Sequence, residues 1–315
     1  MSRLRPTSRR VPWHPGRIAL LAVMITIGAA LVGLPGHTER ASAAPAVAAT
    51  TGPNTTVTFS SGRQYVYHTP PPHAGVRWPL VIVLHGLDNT WATAAASGNW
   101  STFADAHHFG LAYGVGLSSS WNAGLCCGQS AASGVDDVSY LVSVADDVQA
   151  TRTEVDPHRV YVVGFSNGDM MALRAECERP DFFAAAGGAG GDLTSGCRST
   201  RQVRYRHLHG LADGTVPYQG GTVTIGGKQM TLPPVATIPS LVAVQSPNPI
   251  VAVTAYPDAG HAWPRLDNAF KVDGTALIWS WISAYRVPLI VPGSLPDPVR
   301  PAPPVIQPRA PADGA

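Results

Sequence analysis

The sequence predicts an α/β fold, with a single domain built on a mostly parallel sheet flanked by helices. Several short runs are continuously apolar and rich in valine, isoleucine and leucine, which is typical of strands buried on both faces of a parallel sheet. Segments with helical spacing of apolar residues alternate with these runs, as in strand–helix–strand crossover units. The chain of 315 residues is 45% hydrophobic and 13% charged, so it can bury one sizeable core.

The predicted elements follow one another regularly along the chain. The run at 79–85 (PLVIVLH) is the first strand expected to be buried on both faces, and two short strands joined by Ser61-Gly62 precede it. The expected strands are 56–60, 64–68, 79–85, 111–115, 160–163, 182–186, 205–209 and 250–256, and the expected helices are 136–154, 169–178 and 275–285. Residues 220–248 are rich in Gly, Thr and Pro without a clear period, so they predict a long loop or a short hairpin over the sheet edge.

The two ends of the chain differ in composition from the predicted domain at 55–287. Arginines precede an apolar run at 18–34 and the small residues Ala41-Ser42-Ala43, which is the order of a secretory signal peptide. We expect a signal peptide over 1–43, a flexible lead-in at 44–54 and a secreted, extracellular protein without stable membrane association. The alternative is an uncleaved membrane anchor, because the run approaches the length that spans a bilayer. The proline-rich segment 288–315 predicts a disordered tail.

Charge and cysteine content exclude some classes of partner. A formal net charge of +2 with a pI near 8.4 is too mild for a nucleic-acid-binding surface. Cysteines of an exported chain are expected to form disulfides, but the sequence leaves three pairings open. The four are Cys126, Cys127, Cys177 and Cys197. A metal site is the disfavoured alternative, because no C-x-x-C or histidine cluster at ligand spacing accompanies them. The oligomeric state is left open.

The segment Gly164-Phe165-Ser166-Asn167-Gly168 lies between an apolar strand and a helical stretch. A G-x-S-x-G pattern alone occurs by chance in glycine-rich chains, but this context is the one that a nucleophile elbow requires. The sharp turn exposes the serine hydroxyl, so Ser166 is the candidate nucleophile.

A serine hydroxyl needs a base, and the base needs an acid that fixes its tautomer. Folds with a nucleophile elbow place these groups in the order serine, acid, histidine along the chain. His261 is the candidate base, because it lies in a turn-rich loop after the last strand. His207 and His209 precede any plausible acid and are expected to be core histidines. Asp213 follows a neighbouring strand and is the preferred acid; Asp192 and Asp258 are the fallbacks.

The oxyanion formed on attack needs preorganised donors. The backbone N–H of Asn167, directly after the nucleophile, is the first candidate, and the N–H of Leu87, in the loop after the first buried strand, is the second. Aromatic residues near the predicted loops are candidates for a substrate pocket, with packing in the core as the alternative. These residues are Trp121, Tyr218 and Trp263.

Six separated motifs together resemble one protein family. They are PLVIVLHG at 79–86, WNAGLCCG at 121–128, GVDDVSYL at 134–141, VDPHRVYVVGFSNGDMMALRAECE at 155–178, HGLADGTVPYQGG at 209–221 and GHAWP at 260–264. The pattern, over roughly 55–286, resembles the polyhydroxybutyrate depolymerase and feruloyl esterase family. The resemblance implies an α/β-hydrolase fold, no cofactor, an ester substrate, and Ser166, Asp213 and His261 as a catalytic triad.

The sequence departs from the family at two places. Asp169 stands where the family usually has a second glycine after the elbow; a carboxylate suits the first helical turn, but it adds negative charge near the site. Residues between 221 and 250 match least well. Family members that digest solid polyester often carry a further binding domain after the catalytic one, whereas a proline-rich segment follows here. We therefore expect soluble feruloyl or acetyl esters of plant polysaccharide, or short oligoesters, ahead of solid polyester.

Two other functions fit the same fold. One is a non-catalytic secreted binding protein, since a fold does not establish function. The other is a peptidase, although the chain lacks the large extra domain that prolyl peptidases commonly have. The presence of all three triad members in the expected order favours the esterase.

Overall fold

The computed structural model describes residues 52–72, 75 and 77–288. The predicted signal peptide, most of the lead-in and the proline-rich segment from 289 onward lie outside the described residues, so the predicted domain boundaries stay predictions. Within the described ranges, no helix is both long and apolar enough to cross a bilayer.

A mixed sheet of eight strands forms the centre of the described domain. The described residues form ten strands, of which all but β8 and β9 belong to this sheet: β1 (Asn54–Thr58), β2 (Gln64–His68), β3 (Trp78–Leu84), β4 (Gly110–Gly114), β5 (Val155–Phe165), β6 (Ala185–Ala189), β7 (Arg204–Gly210), β8 (Gly221–Ile225), β9 (Lys228–Leu232) and β10 (Ile250–Tyr256). The order in the sheet is β1-β2-β4-β3-β5-β6-β7-β10, and β8 and β9 form a separate hairpin. From β4 to β10 all neighbours are parallel, which confirms the predicted fold class.

Seven α-helices are described. They are α1 (Trp91–Gly98), α2 (Trp100–His107), α3 (Gly128–Ala132), α4 (Asp137–Thr151), α5 (Asn167–Glu178), α6 (Ile238–Ala243) and α7 (Gly274–Ile282). The helices α4, α5 and α7 match the predicted ones. No apolar period predicts α1, because its residues WATAAASG are mostly small; a reciprocal capping box between Thr90 and Thr93 begins it.

Strand β6 begins three residues later than the predicted 182–186. Its sequence, AAGGA, lacks the branched residues that mark a buried strand. Small residues are required because neighbours approach closely: a Cβ at Gly187 would lie 2.9 Å from Ile278 Cγ2, and one at Gly188 would lie 2.0 Å from Asp169 Oδ1. Close packing by α5 and α7 therefore removes the signal by which the strand could be recognised.

Alternating residues of the strands face two apolar cores. In β3 every residue is buried, with Leu80, Ile82 and Leu84 in the core shared with α4 and α5, and Val81 and Val83 in the core shared with α2 and α7. This double burial explains the continuous apolar run. The parallel strands end at one common edge, and the loops after β3, β5, β7 and β10 meet there.

The four cysteines form two disulfides. Cys177, near the end of α5, is bonded to Cys197, and the adjacent residues Cys126 and Cys127 are bonded to each other. This resolves the pairing that the sequence left open.

Candidate active site

Ser166 occupies a sharp turn between β5 and α5. Its φ of 55° and ψ of −121° are unusual for a residue with a side chain, and its N–H donates to Ala189 O at 2.9 Å. The flanking glycines permit this turn: a Cβ at Gly164 would lie 2.1 Å from the carbonyl carbon of Gly168, and one at Gly168 would lie 2.5 Å from His85 O. The serine side chain is thereby held at the carboxyl edge of the sheet.

The structure brings Ser166, His261 and Asp213 into one hydrogen-bonded series. Ser166 Oγ lies 3.0 Å from His261 Nε2, and His261 Nδ1 lies 2.7 Å from Asp213 Oδ2. Because an ionised carboxylate only accepts, His261 Nδ1–H donates to Asp213, which leaves Nε2 as the acceptor for the serine hydroxyl. This is the arrangement in which a histidine can take the serine proton.

Asp213 is 5% exposed as a residue, and its carboxyl group accepts from three donors, one of them His261. Its Oδ1 accepts from the N–H of Thr215 at 2.8 Å and of Val216 at 2.9 Å. Burial acts to raise the pKa of Asp213, but the hydrogen bond and charge of His261, together with these two N–H groups, outweigh it and lower the pKa. Asp213 is therefore an anion at neutral pH.

The fallback acids are placed elsewhere. Asp258 is exposed on its loop. Asp192 is buried and accepts from its neighbour's N–H, Leu193, at 2.7 Å; burial raises its pKa to about 7. Among the described residues, neither of them bonds to His261. His207 and His209 are fully buried on β7, as expected for core histidines.

The two candidate oxyanion donors lie on adjoining segments. Asn167 is the first residue of α5, where an N–H has no intrahelical acceptor. Leu87 is half-buried in the loop after β3, and that loop contacts the elbow: a Cβ at Gly86 would lie 3.4 Å from Phe165 Cδ1. The positive φ of Asp88, 56°, turns the chain directly after Leu87.

The Asn167 side chain forms a pair of hydrogen bonds that the sequence did not suggest. Its Oδ1 accepts from Trp121 N–H at 2.8 Å, and its Nδ2 donates to Trp121 O at 3.0 Å. The loop after β4 is thus attached to the residue that follows the nucleophile. The nearby His85 has a structural role: Nδ1–H donates to Gly86 O at 2.7 Å, and Nε2 accepts from Gly116 N–H at 3.0 Å. Burial lowers the pKa of His85, which keeps it neutral.

A cavity of about 240 Å³ adjoins this site. Its walls include Phe165 and Ala262, the sequence neighbours of Ser166 and His261, together with Gly86, Asn89 and Trp263. Phe165 also packs against the His261 ring, with 4.9 Å between the centroids.

The three aromatic pocket candidates have different positions. Trp263 lines the cavity. Tyr218 is half-buried and packs against His209, with ring centroids 5.8 Å apart. Trp121 is fully buried, its Nε1–H donates to His85 O at 2.9 Å, and its ring contacts His85 and Tyr140. Its ring therefore packs in the core, the alternative given for it, rather than facing a solvent-filled pocket.

Asp169 stands at the position where the sequence departs from the family pattern. It is fully buried and faces β7 instead of the substrate side. Its carboxyl group accepts from Tyr205 Oη at 2.7 Å and from Gly191 N–H at 3.0 Å, and it lies 3.0 Å from His207 Nδ1. The carboxyl group lies near the site, as expected from the sequence, but the first turn of α5 points this side chain inward to β7.

The strand order and the sharp turn between β5 and α5 are those of the α/β-hydrolase fold. Residues 63–203 match the family described as "Esterase PHB depolymerase". This match and the relatives that follow confirm the family resemblance of the motifs, to polyhydroxybutyrate depolymerases and feruloyl esterases.

Curated relatives carry esterase and depolymerase names. NocK of Nocardia uniformis subsp. tsuyamanensis, which is named as an esterase, is 32% identical over 56% of this chain and 52% of its own. Poly(3-hydroxyalkanoate) depolymerase C of Paucimonas lemoignei is 33% identical over 34% of this chain and 26% of its own. Feruloyl esterase B of Piromyces equi is 30% identical over 36% of this chain and 22% of its own. The chain thus spans about half the length of the first relative and about a quarter of the other two.

Solved structures show the same fold at low identity. An acetyl xylan esterase from Aspergillus awamori has a TM-score of 0.51 and 15% identity, over 74% of this chain and 99% of its own. A thermostable esterase has a TM-score of 0.52 and 17% identity, over 75% of this chain and 63% of its own. These similarities concern the fold alone.

Proposed function

We propose that this protein is a secreted serine hydrolase of carboxylic esters. The observation that carries the proposal is the contact series from Ser166 Oγ through His261 to Asp213, at 3.0 and 2.7 Å. The esterase names of the relatives agree with it, and the disulfide Cys177–Cys197 fits an oxidising compartment.

In this proposal catalysis proceeds in two steps. Ser166 Oγ attacks the ester carbonyl carbon while His261 Nε2 takes the serine proton; the resulting oxyanion accepts from the N–H groups of Asn167 and Leu87. His261 then donates that proton to the departing alcohol oxygen as the carbon–oxygen bond breaks, which leaves an acyl group on Ser166. Water, deprotonated by His261, hydrolyses the acyl-enzyme and restores the serine. Asp213 holds the His261 tautomer and stabilises the imidazolium in both steps.

The cavity and the names of the relatives support the substrate class that we propose. Trp100, Phe165 and Trp263 give the cavity beside the triad three aromatic walls, which suits an apolar or aromatic acyl group. Feruloyl or acetyl esters of plant polysaccharide, and hydroxyalkanoate oligoesters or polyester, are the substrates that we propose for this chain.

The test is hydrolysis of p-nitrophenyl butyrate, methyl ferulate and suspended polyhydroxybutyrate by the purified mature protein, with Ser166→Ala as the control. Serine-dependent clearing of the suspension identifies a polyester depolymerase. Ferulate release without clearing identifies an esterase of plant-wall type. If none of the three is turned over in a serine-dependent way, the esterase proposal is wrong and the non-catalytic binding protein replaces it.

A further inference from the structure

A second series of polar side chains lies behind the triad acid, and the mechanism above does not use it. Asp169, Tyr205, His207 and His209 are each fully buried. His207 Nδ1 lies 3.0 Å from Asp169 Oδ2 and 2.9 Å from Tyr205 Oη. His207 Nε2 lies 2.8 Å from His209 Nδ1. Buried polar groups at such distances need matching donors and acceptors, so the positions of the protons can be worked out.

The hydrogen bonds of His209 determine where the first protons of the series lie. His209 Nε2 lies 2.8 Å from Val216 O, and a carbonyl oxygen only accepts, so this nitrogen carries a proton. Burial, together with the charge of His207, lowers the pKa of His209 to about 4. His209 is thus neutral at pH 7, its Nδ1 is an acceptor, and the proton between the two rings belongs to His207 Nε2.

The other nitrogen of His207, Nδ1, faces Asp169, and its role follows from the hydrogen bonds around an ionised Asp169 carboxylate. The only hydrogen of the Tyr205 hydroxyl is directed to Asp169 Oδ1, at 2.7 Å. Burial raises the pKa of Tyr205 well above its ordinary value, so this hydroxyl stays protonated. An unprotonated His207 Nδ1 would place its lone pair against Asp169 Oδ2 at 3.0 Å, which is repulsive, whereas Nδ1–H donates there.

We infer that His207 is a buried imidazolium paired with Asp169, and that this pair acts through His209 to position the triad acid Asp213 and favour its ionised form. The inference rests on the proposed function for its catalytic consequence. His209 Nε2–H donates to Val216 O, and the Val216 N–H in turn donates to Asp213 Oδ1 at 2.9 Å. His209 Nε2 is itself 3.5 Å from Asp213 Oδ2.

The pair joins the two elements that supply the triad. Asp169 lies in the first turn of α5, directly after the elbow, and its N–H donates to Ser166 O at 3.0 Å. His207 and His209 lie on β7, which leads into the Asp213 turn. A buried ion pair is retained only when both charges are well bonded, and Asp169 has three partners.

Other titratable groups also face this series. Asp192, after β6, is buried, its Oδ2 has no hydrogen-bond partner among the described residues, and the charge of His207 acts on it. Tyr218 packs on the His209 ring, and His261 faces Asp213 from the loop after β10. None of Asp192, Tyr218 and His261 donates the proton that lies between His207 Nδ1 and Asp169.

The first test needs no turnover. Nuclear magnetic resonance of the imidazole nitrogens of the wild-type protein between pH 6 and 8 should show His207 protonated at both nitrogens and His209 at Nε2 alone. In Asp169→Asn, His207 should become neutral, and the Nδ1–H signal of His261 should shift because the environment of Asp213 has changed. A neutral His207 in the wild type overturns the inference, even if the variant does not fold.

The second test is kinetic. Asp169→Asn keeps the size of the side chain and removes its charge. We expect kcat for p-nitrophenyl butyrate to fall by about tenfold and KM to stay within twofold. Because the positive charge behind the Asp213–His261 pair is lost, protonation of that pair becomes easier, and the acid limb of the rate profile should move up by about half a pH unit.

The matched control is Asp105→Asn. Asp105 also binds a fully buried histidine, His68, at 2.8 Å, but on β2, five strands away from β7 in the sheet. This variant should leave kcat and the acid limb unchanged. Equal pH profiles for Asp169→Asn and the wild type, or the same shift in Asp105→Asn, overturn the positioning role. If the wild type has no esterase activity but His207 is protonated at both nitrogens, the proposed function is contradicted and the buried pair is supported.

Discussion

Asn167 has two separate functions at the scale of single residues. Its backbone N–H is the proposed oxyanion donor, while its side chain forms two buried hydrogen bonds with the backbone of Trp121. Sequence reasoning proposes the first role from the position after the candidate nucleophile. It missed the second, because nothing in the motif indicates that the loop after β4 crosses the elbow at this point.

Asn167→Ala separates the two functions, since it keeps the N–H and removes the amide. The N–H of Trp121 would be left buried without a partner among the described residues, whereas its C=O keeps the N–H groups of Ala123 and Cys127. We therefore expect the free energy of unfolding to fall by about 1–3 kcal/mol. We also expect a lower kcat, because the segment beside the oxyanion site is released. Denaturant unfolding and steady-state kinetics measure both effects.

The matched control is Gln64→Ala, which removes an exposed side-chain hydrogen bond to Thr58 and should change stability by no more than about 0.5 kcal/mol. Wild-type stability and kcat in Asn167→Ala would show that the side-chain bonds to Trp121 do not support the site.

At the scale of elements, the β8–β9 hairpin is the segment for which the sequence leaves two structures open. The sequence allowed a long loop or a short hairpin there, and the structure has a hairpin followed by α6. Gly226 and Gly227 form its two-residue turn, with φ values of 58° and 74°, as a tight hairpin turn requires. The turn lies against the proposed oxyanion loop: a Cβ at Gly226 would be 3.0 Å from Leu87 Cδ2, whereas one at Gly227 would meet nothing within 4 Å.

The two glycines form a matched pair for testing whether the hairpin acts on the site. Gly226→Ala and Gly227→Ala each place a side chain at positive φ, so both should cost about 1–2 kcal/mol in stability. We expect Gly226→Ala alone to change kcat or KM, because it alone displaces Leu87. Measurement of both variants on p-nitrophenyl butyrate, with thermal unfolding alongside, decides this. Equal kinetics in the two variants would argue that the hairpin has no part in catalysis.

At the scale of the whole molecule, the sequence predicted what depends on local pattern and chain order. The bounds of β10 agree with the predicted 250–256, because a continuous apolar run marks them. The three triad candidates were found because their order along the chain is restricted. The direction of Asp169 was not predictable, since its partners Tyr205 and His207 lie more than thirty residues away on β7 and meet it only through packing.

The stability of the whole fold should depend on pH through Asp192. Burial raises its pKa from 3.8 to about 7, so the folded state binds this proton more tightly than the unfolded chain does. The contribution of Asp192 to the free energy of unfolding is therefore highest below its unfolded-state pKa of 3.8. It falls as the pH rises from about 4 to about 7, and it is constant above pH 7. Asp192→Asn cannot ionise, so its melting temperature should exceed that of the wild type by an amount that grows from pH 4 to pH 7.

Thermal unfolding at pH 4, 6 and 8 measures this difference, and the exposed Asp258→Asn variant is the control that should follow the wild type. A difference that stays constant with pH would mean that Asp192 does not titrate in this range.

The most direct test of the central claim is the identity of the acylated residue. The purified protein should be mixed with p-nitrophenyl butyrate, quenched in acid within the first turnover and digested for mass spectrometry. We predict a butyryl group on the peptide that contains Ser166, matched by a burst of p-nitrophenol, and neither in Ser166→Ala. Acylation of another residue, or undiminished turnover in Ser166→Ala, would contradict the assignment of Ser166 as the nucleophile.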